Sequence, residues 1–323
     1  MLAYQQLLQL TQQLPLLKFS LAEDCDWAKN DLAQAYLNFY KINFVHEFAG
    51  VAHGFGCIDA AGFRIATHYW LPVNPKGTLV INHGLYDHTG IYNHAIRFAL
   101  KLNLAVLIFD LPGHGLSSGE PTEINSFDQY ADVLAVILEK SKTLMPQPVY
   151  ALSQSTGSAM VLNYLWRYAL QDPSRQGFNK IVLCAPLILA RSWRFGKFLY
   201  LVLKPFVKQL KRGISHNSHD KHFIQFLTHQ DPLQTKHLTL KWVGAMKAWD
   251  QQFATFTPQN KEIAIVQGTG DMTVAWRYNL PQIHRKLPNT KIFMIANAKH
   301  QLVNESEEYR AQVFNAIEKY LNV

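Results

Sequence analysis

From Thr78 onward, six short apolar runs alternate with amphipathic stretches, and this alternation limits the chain to very few architectures. The runs cover 79–82, 105–109, 149–152, 180–184, 263–267 and 291–295. Helical periodicity near 89–101, 127–143, 156–169, 274–286 and 303–321 falls between or after them. Strands that alternate with helices predict a mostly parallel sheet covered on both faces. In an open α/β fold of that kind, ligands sit at the carboxyl ends of the strands. Ahead of this region, 51–57 and 63–71 flank the turn Asp59-Ala60-Ala61-Gly62 and predict an antiparallel hairpin. Residues 1–45 predict a helical extension broken at Pro15.

One segment interrupts the pattern. Between Pro186 and Phe256 the chain is helical, aromatic and basic, with no strand signal, which predicts an inserted cap over the carboxyl edge of the sheet. The expected organisation is therefore an extension at 1–45, a core formed by 46–186 and 257–323, and a helical cap at 187–256. A length of 323 residues suits one large α/β domain with an insertion. Hydrophobic residues make up 48 %, too many for a disordered chain.

Chemistry concentrates at the ends of the predicted strands. The run Val149-Tyr150-Ala151-Leu152 leads into Ser153-Gln154-Ser155-Thr156-Gly157 and then a helical pattern. A serine on a sharp strand-to-helix turn between small residues matches a nucleophile elbow. A serine hydroxyl needs a base, and the base needs an orienting acid. Asp271 follows the glycine-rich turn Gly268-Thr269-Gly270 after one late strand, and His300 follows the last strand. The order Ser155, Asp271, His300 suits an acyl-transfer triad. Oxyanion donors are expected at the backbone N–H groups of Leu85, after His83-Gly84, and of Thr156. His83, Gly84, Gln154 and Gly157 would shape the loops around them. Asp110 and His114, in Asp110-Leu111-Pro112-Gly113-His114-Gly115, are expected to tie their loop by hydrogen bonds. No phosphate-binding loop is present there, since the lysine and the serine or threonine of that motif are missing.

These motifs identify a resemblance to the α/β-hydrolase superfamily, and within it to the branch of monoacylglycerol lipases and bacterial lysophospholipases, also grouped as serine-aminopeptidase-like hydrolases. It covers roughly 48–321. His83-Gly84 with His88-Thr89-Gly90 resembles that branch's oxyanion loop, and Asp110 to Ser117 its D-x-x-G-x-G-x-S loop. Ser155, Asp271 and His300 fall where its triad lies. Ser153 departs from the first elbow glycine, and Leu85-Tyr86 from a smaller turn. The resemblance implies an α/β-hydrolase fold and a serine carboxylic-ester hydrolase acting on lipid-like monoacyl esters through an acyl-enzyme. No metal or organic cofactor is expected.

The cap adds charge to this picture. Residues 187–256 hold eleven Lys and Arg, among them Arg191, Arg194 and Lys197, against three aspartates, an excess equal to the chain's whole net charge of +8. Trp193, Phe195 and Phe198 are interleaved with them, which suggests contact with substrate and an interfacial face drawn to anionic membrane. No recognised nucleic-acid motif accompanies the charge. His216, His219 and His222 recur at three-residue spacing, but only Asp220 stands near them, too little for a metal site. The three cysteines form no C-x-x-C pair and fit a reducing compartment. The N-terminus lacks a basic region before its leucines, so a cytoplasmic protein, peripheral on the inner membrane face through its cap, is expected.

Two alternatives remain open at this level: a serine peptidase of aminopeptidase or iminopeptidase type, and a non-catalytic lipid-binding protein of the same fold. A dehalogenase or epoxide hydrolase would need aspartate at position 155.

Overall fold

The computed structural model describes residues 4–172, 177–212 and 216–323. Ten strands run in chain order: β1 Ala52–Ala60, β2 Phe63–Leu71, β3 Thr78–Asn82, β4 Ala105–Phe109, β5 Val149–Gln154, β6 Lys180–Cys184, β7 Gln209–Lys211, β8 His237–Thr239, β9 Ile263–Gly268 and β10 Thr290–Ile295. Eight of them form one sheet in the order β1-β2-β4-β3-β5-β6-β9-β10. From β4 to β10 every pairing is parallel; β1 and β2 join at the edge antiparallel. The hairpin closes through two residues, Ala61 and Gly62, with φ of 50° and 83°. Positive φ at both positions gives a turn whose twist matches that of the strands.

The central strands are buried along their whole length, which is why they read as continuous apolar runs. Their side chains still alternate between two cores. Val80 and Leu107 face one, with the helices Phe127–Ser141 and Thr156–Tyr164. Leu79, Ile81, Val106 and Ile108 face the other, with the helices Asn93–Lys101 and Glu307–Leu321.

The extension joins this second core. Its helices Tyr4–Gln13, Leu21–Trp27 and Asp31–Phe39 bury Leu7, Leu10, Tyr36 and Leu37 against the β1–β2 edge. Where Pro15 interrupts the helical pattern, Leu17 N–H donates to Cys57 O at 2.8 Å and Cys57 N–H to Pro15 O at 2.7 Å, so the break pairs with β1. Residues 1–3 of the expected extension lie outside the described residues.

The segment expected to lack strands contains a small one: β7 and β8 pair antiparallel, three residues each. The helix Leu240–Thr255 anchors the insertion to the core. Trp249 on it is fully buried, stacks on Phe127 at 5.6 Å, and donates from Nε1 to Leu187 O at 3.1 Å. Burying one such ring contributes about 1.5–3 kcal/mol. No described helix is long and apolar enough to cross a membrane.

Candidate active site

Ser155 stands between β5 and the helix Thr156–Tyr164 with φ 52° and ψ −110°. A non-glycine residue in that region is strained, and the surroundings must hold it there. They do so from both sides: Ser155 N–H donates to Cys184 O at 2.9 Å, and Ser158 N–H to Ser155 O at 3.0 Å. Gly157 is required by the close approach of the helix, since a Cβ there would meet Asn82 O at 2.3 Å. Ser153, in place of the usual glycine, fits because its hydroxyl accepts from Asn82 Nδ2 at 3.0 Å.

Asp271 and His300 arrive on two loops that touch backbone to backbone. A Cβ on Gly268 would lie 2.2 Å from Ala298 O, and one on Gly270 2.5 Å from Asn297 O, so both positions need glycine. Between the loops, His300 Nδ1–H donates to Asp271 Oδ2 at 2.8 Å. Asp271 Oδ1 accepts from the N–H groups of Thr273 at 2.7 Å and Val274 at 3.2 Å. Gln154 reaches across to hold the same loop, donating from Nε2 to His300 O at 2.8 Å. Nδ1 carries the proton in this arrangement, so the lone pair of the neutral ring lies on Nε2. Burial disfavours the His300 imidazolium, but Asp271's charge and hydrogen bond outweigh it and raise the pKa above 6.5. For Asp271, burial favours the neutral acid; His300 and the two backbone donors overcome this and lower its pKa.

Ser155 and His300 border one cavity of about 240 Å³, together with Gly84, Leu85 and Thr156. Gly84 lies close to the serine: a Cβ added there would come within 3.3 Å of the Ser155 Cβ. His83 fixes this turn as a neutral ring, because Nε2 accepts from Leu111 N–H at 2.9 Å while Nδ1–H donates to Gly84 O at 2.8 Å. Burial drives its pKa far below the ordinary value. Asp110 binds the N–H groups of Thr89 at 2.7 Å and Leu116 at 2.8 Å, and His114 donates to Pro112 O at 2.8 Å, so both tie loops as expected.

The structure does not bring the cap aromatics to this cavity. Phe195 and Phe198, 69 % and 64 % exposed, point to solvent, and Trp193 packs against the core instead. The apolar wall is made by Leu187, Leu238, Trp242, Met246 and Val274. His219, from the histidine series, donates from Nδ1–H to Glu305 Oε1 at 2.9 Å.

Two features escaped the sequence reading. Arg212, one of eleven cap cations, stacks over the Tyr86 ring at 3.6 Å and lines the cavity. At the C-terminal end of the helix Asp31–Phe39, Tyr40 of the extension donates to Asp231 Oδ1 at 2.9 Å, and Asp231 Oδ2 meets His88 Nε2 at 3.0 Å, all buried. Gly90 N–H donates to His88 Nδ1 at 3.2 Å, so Nε2 is the protonated nitrogen. Extension, cap and the His83–Gly90 loop are thereby linked by one chain of hydrogen bonds.

The family model described as serine aminopeptidase S33 matches residues 73–307. Human monoglyceride lipase is 31 % identical over 150 residues, covering 46 % of this chain and 47 % of the relative. The match thus spans about half the length of that relative. The monoglyceride lipase homolog of Monkeypox virus is 27 % identical over 267 residues, covering 78 % of this chain and 92 % of the relative. Among solved structures, a soluble variant of monoglyceride lipase from Saccharomyces cerevisiae in complex with a substrate analog superposes with a TM-score of 0.68 at 16 % identity, covering 83 % of this chain and 93 % of that one. That likeness shows the α/β-hydrolase fold.

Proposed function

The chain belongs to the serine aminopeptidase S33 family of α/β-hydrolases, and from that premise we propose that it hydrolyses lipid-like monoacyl esters with Ser155 as nucleophile, His300 as base and Asp271 as the residue that orients it. The observation that carries this reading is the 2.8 Å hydrogen bond from His300 Nδ1–H to Asp271, with His300 and the elbow serine on the wall of one cavity. Its Nε2 lone pair takes the proton from Ser155 Oγ as the oxygen attacks the ester carbonyl. The N–H groups of Leu85 and Thr156 receive the oxyanion, each contributing about 3–4 kcal/mol to the transition state. His300 then returns the proton to the leaving alcohol. Water, deprotonated by the same ring, releases the fatty acid from the acyl-enzyme.

Ester rather than peptide cleavage is favoured by the charge in the cavity. An aminopeptidase needs carboxylates to hold the substrate's ammonium group. Asp87 is the one carboxylate on the described cavity wall, and it is occupied by Tyr92 at 2.9 Å and Gln301 at 2.8 Å. The Arg212 cation beside it repels an ammonium group. The apolar wall suits an acyl chain, in keeping with the lipases among the relatives. Monoacylglycerols and lysophospholipids with medium to long chains are therefore expected to be cleaved with kcat/KM at least about 100-fold above an aminoacyl p-nitroanilide, the order of discrimination that an apolar pocket supplies. Preferential cleavage of the anilide in a side-by-side assay would make the protein a peptidase.

Access to such a substrate runs through the cap. On and just beyond the helix Trp193–Leu203, Phe195, Phe198, Leu201 and Phe206 stand exposed beside Lys197, Lys204 and Lys208. Aromatic side chains flanked by lysines suit peripheral binding to an anionic bilayer, with the rings at the acyl boundary. The triple substitution Phe195→Ser, Phe198→Ser and Phe206→Ser is expected to lower sedimentation with phosphatidylglycerol vesicles at least about tenfold, since each ring carries up to about 1.5–3 kcal/mol of transfer energy. Unchanged sedimentation would remove the membrane role from this face.

A further inference from the structure

We propose that Arg212 is a specificity-determining residue that binds the anionic phosphate headgroup of the substrate, so that the protein prefers acyl esters of glycerophosphate to neutral monoacylglycerols. This rests on the ester-hydrolase reading and adds a substrate class to it.

The position of Arg212 follows from the small cap hairpin. Its N–H donates to Lys236 O at 2.9 Å, continuing the β7–β8 pairing by one residue. That step carries the side chain over the oxyanion-loop residue Tyr86, whose ring lies 3.6 Å from the guanidinium carbon. Nη1 donates to Gln234 Oε1 at 2.8 Å and to Thr235 O at 3.4 Å. Both acceptors are neutral, and the guanidinium has further N–H donors in its planar fork. Burial works against the charged form, with Tyr86 and Asp87 opposing it. Asp87 provides no ion pair: its oxygens are taken by Tyr92 and Gln301, and burial raises its pKa. A half-buried cation held by neutral partners is costly unless a ligand brings negative charge.

The polar side of the cavity has more to offer than one cation. Gln301 Oε1 and Asn217 Oδ1 are buried with no hydrogen-bond partner among the described residues, and both residues line the same space. Gln301 N–H donates to Asn217 O at 2.9 Å, and the Gln301 side chain donates to Asp87, so these groups form one continuous wall with Tyr86 and Arg212. Two free acceptors and a cation match a hydroxyl-bearing glycerophosphate. Opposite in character, Trp242 and Met246 occupy one face of the helix Leu240–Thr255 and offer the acyl chain its surface. A neutral monoacylglycerol would satisfy the two acceptors and leave Arg212 without its counter-charge.

The test compares the full chain with Arg212→Gln and Arg212→Lys on lysophosphatidic acid and on the monoacylglycerol of the same acyl chain, both below their micellar concentrations. The wild type should prefer the phosphate ester at least about tenfold. Arg212→Gln should lower kcat/KM for the phosphate ester by about 10–100-fold, the usual loss for a hydrogen bond to a charged group, and so abolish the preference for it over the monoacylglycerol. Arg212→Lys should recover part of the loss. A parallel fall on both substrates, or no selective fall, overturns the proposal, while monoacylglycerol turnover by the wild type keeps the hydrolase reading intact. Absence of turnover by the wild type on either ester would overturn both. sn-Glycerol 3-phosphate should inhibit monoacylglycerol hydrolysis competitively in the wild type and not in Arg212→Gln, whereas inorganic phosphate at equal concentration should not. Equal inhibition by inorganic phosphate would make this a site for a free anion and overturn the headgroup assignment.

Discussion

Ser155→Ala is expected to lower kcat for a monoacyl ester by about 10⁴–10⁶-fold without loss of fold. Removing the nucleophile of a serine hydrolase leaves only what the oxyanion donors and substrate binding supply, a residual of about 10³–10⁴ over water. Alanine retains the backbone contacts that hold position 155, from its N–H to Cys184 O and from Ser158 N–H to its own carbonyl. The φ of 52° is no harder for alanine than for serine. Thermal unfolding of the variant should therefore coincide with that of the wild type within a few degrees. Turnover within about tenfold of the wild type would remove Ser155 from the mechanism, and loss of the unfolding transition would show that the residue serves the fold.

Asp271→Asn should cost about 10⁴-fold in kcat, by a different route. The substituted carboxamide can still accept from the N–H groups of Thr273 and Val274 through one oxygen. Its NH₂ group then faces His300 Nδ1, which must accept instead of donate, and the proton moves to Nε2. A ring protonated on Nε2 cannot take the serine proton. The pH profile carries a second signature. In the wild type the base must be neutral, and Asp271 outweighs burial in raising its pKa, so kcat/KM should rise with pH through a midpoint above 6.5. Without the Asp271 carboxylate, burial is opposed only by the more weakly acting charge of Asp87, and the residual activity should titrate at lower pH. Stability responds in the opposite sense. A raised histidine pKa stabilises the fold at low pH and loses that contribution as pH rises through the folded value. The lowered Asp271 pKa contributes above the ordinary 3.8 and is lost as pH falls through the depressed value. Both contributions are present between the ordinary values of 3.8 and 6.5. The unfolding difference between wild type and Asp271→Asn should be greatest in that window and shrink as the pH rises through the raised folded-state value of His300. A difference independent of pH would mean that the two residues are not electrostatically coupled.

The features legible in the sequence were those whose physics is local. β3, β4 and β5 are buried on both faces and so appear as unbroken apolar runs. Ser155, Asp271 and His300 each follow a strand, and the glycines beside them are explained by neighbouring backbone oxygens that an added Cβ would meet at 2.2 to 2.5 Å. What the sequence hid depends on contacts between distant segments. β7 and β8, three residues each, are too short to show the alternation that betrays a strand. Without their pairing nothing separates Arg212 from the other cap cations. Apolar composition suggested Phe195 and Phe198 as substrate contacts, but composition alone does not say which side of a helix faces the cavity; Trp242 and Met246 hold that place. The link from Tyr40 to Asp231 joins residues 191 positions apart, and no periodicity reports it.

A single activated serine, at position 155, is proposed to perform the chemistry. Reaction of the intact protein with a fluorophosphonate probe, followed by mass spectrometric mapping of the modified peptide, tests it most directly. One adduct is expected, on Ser155, absent from Ser155→Ala and formed far more slowly by Asp271→Asn. An adduct on another residue, or labelling that persists in Ser155→Ala, would contradict it.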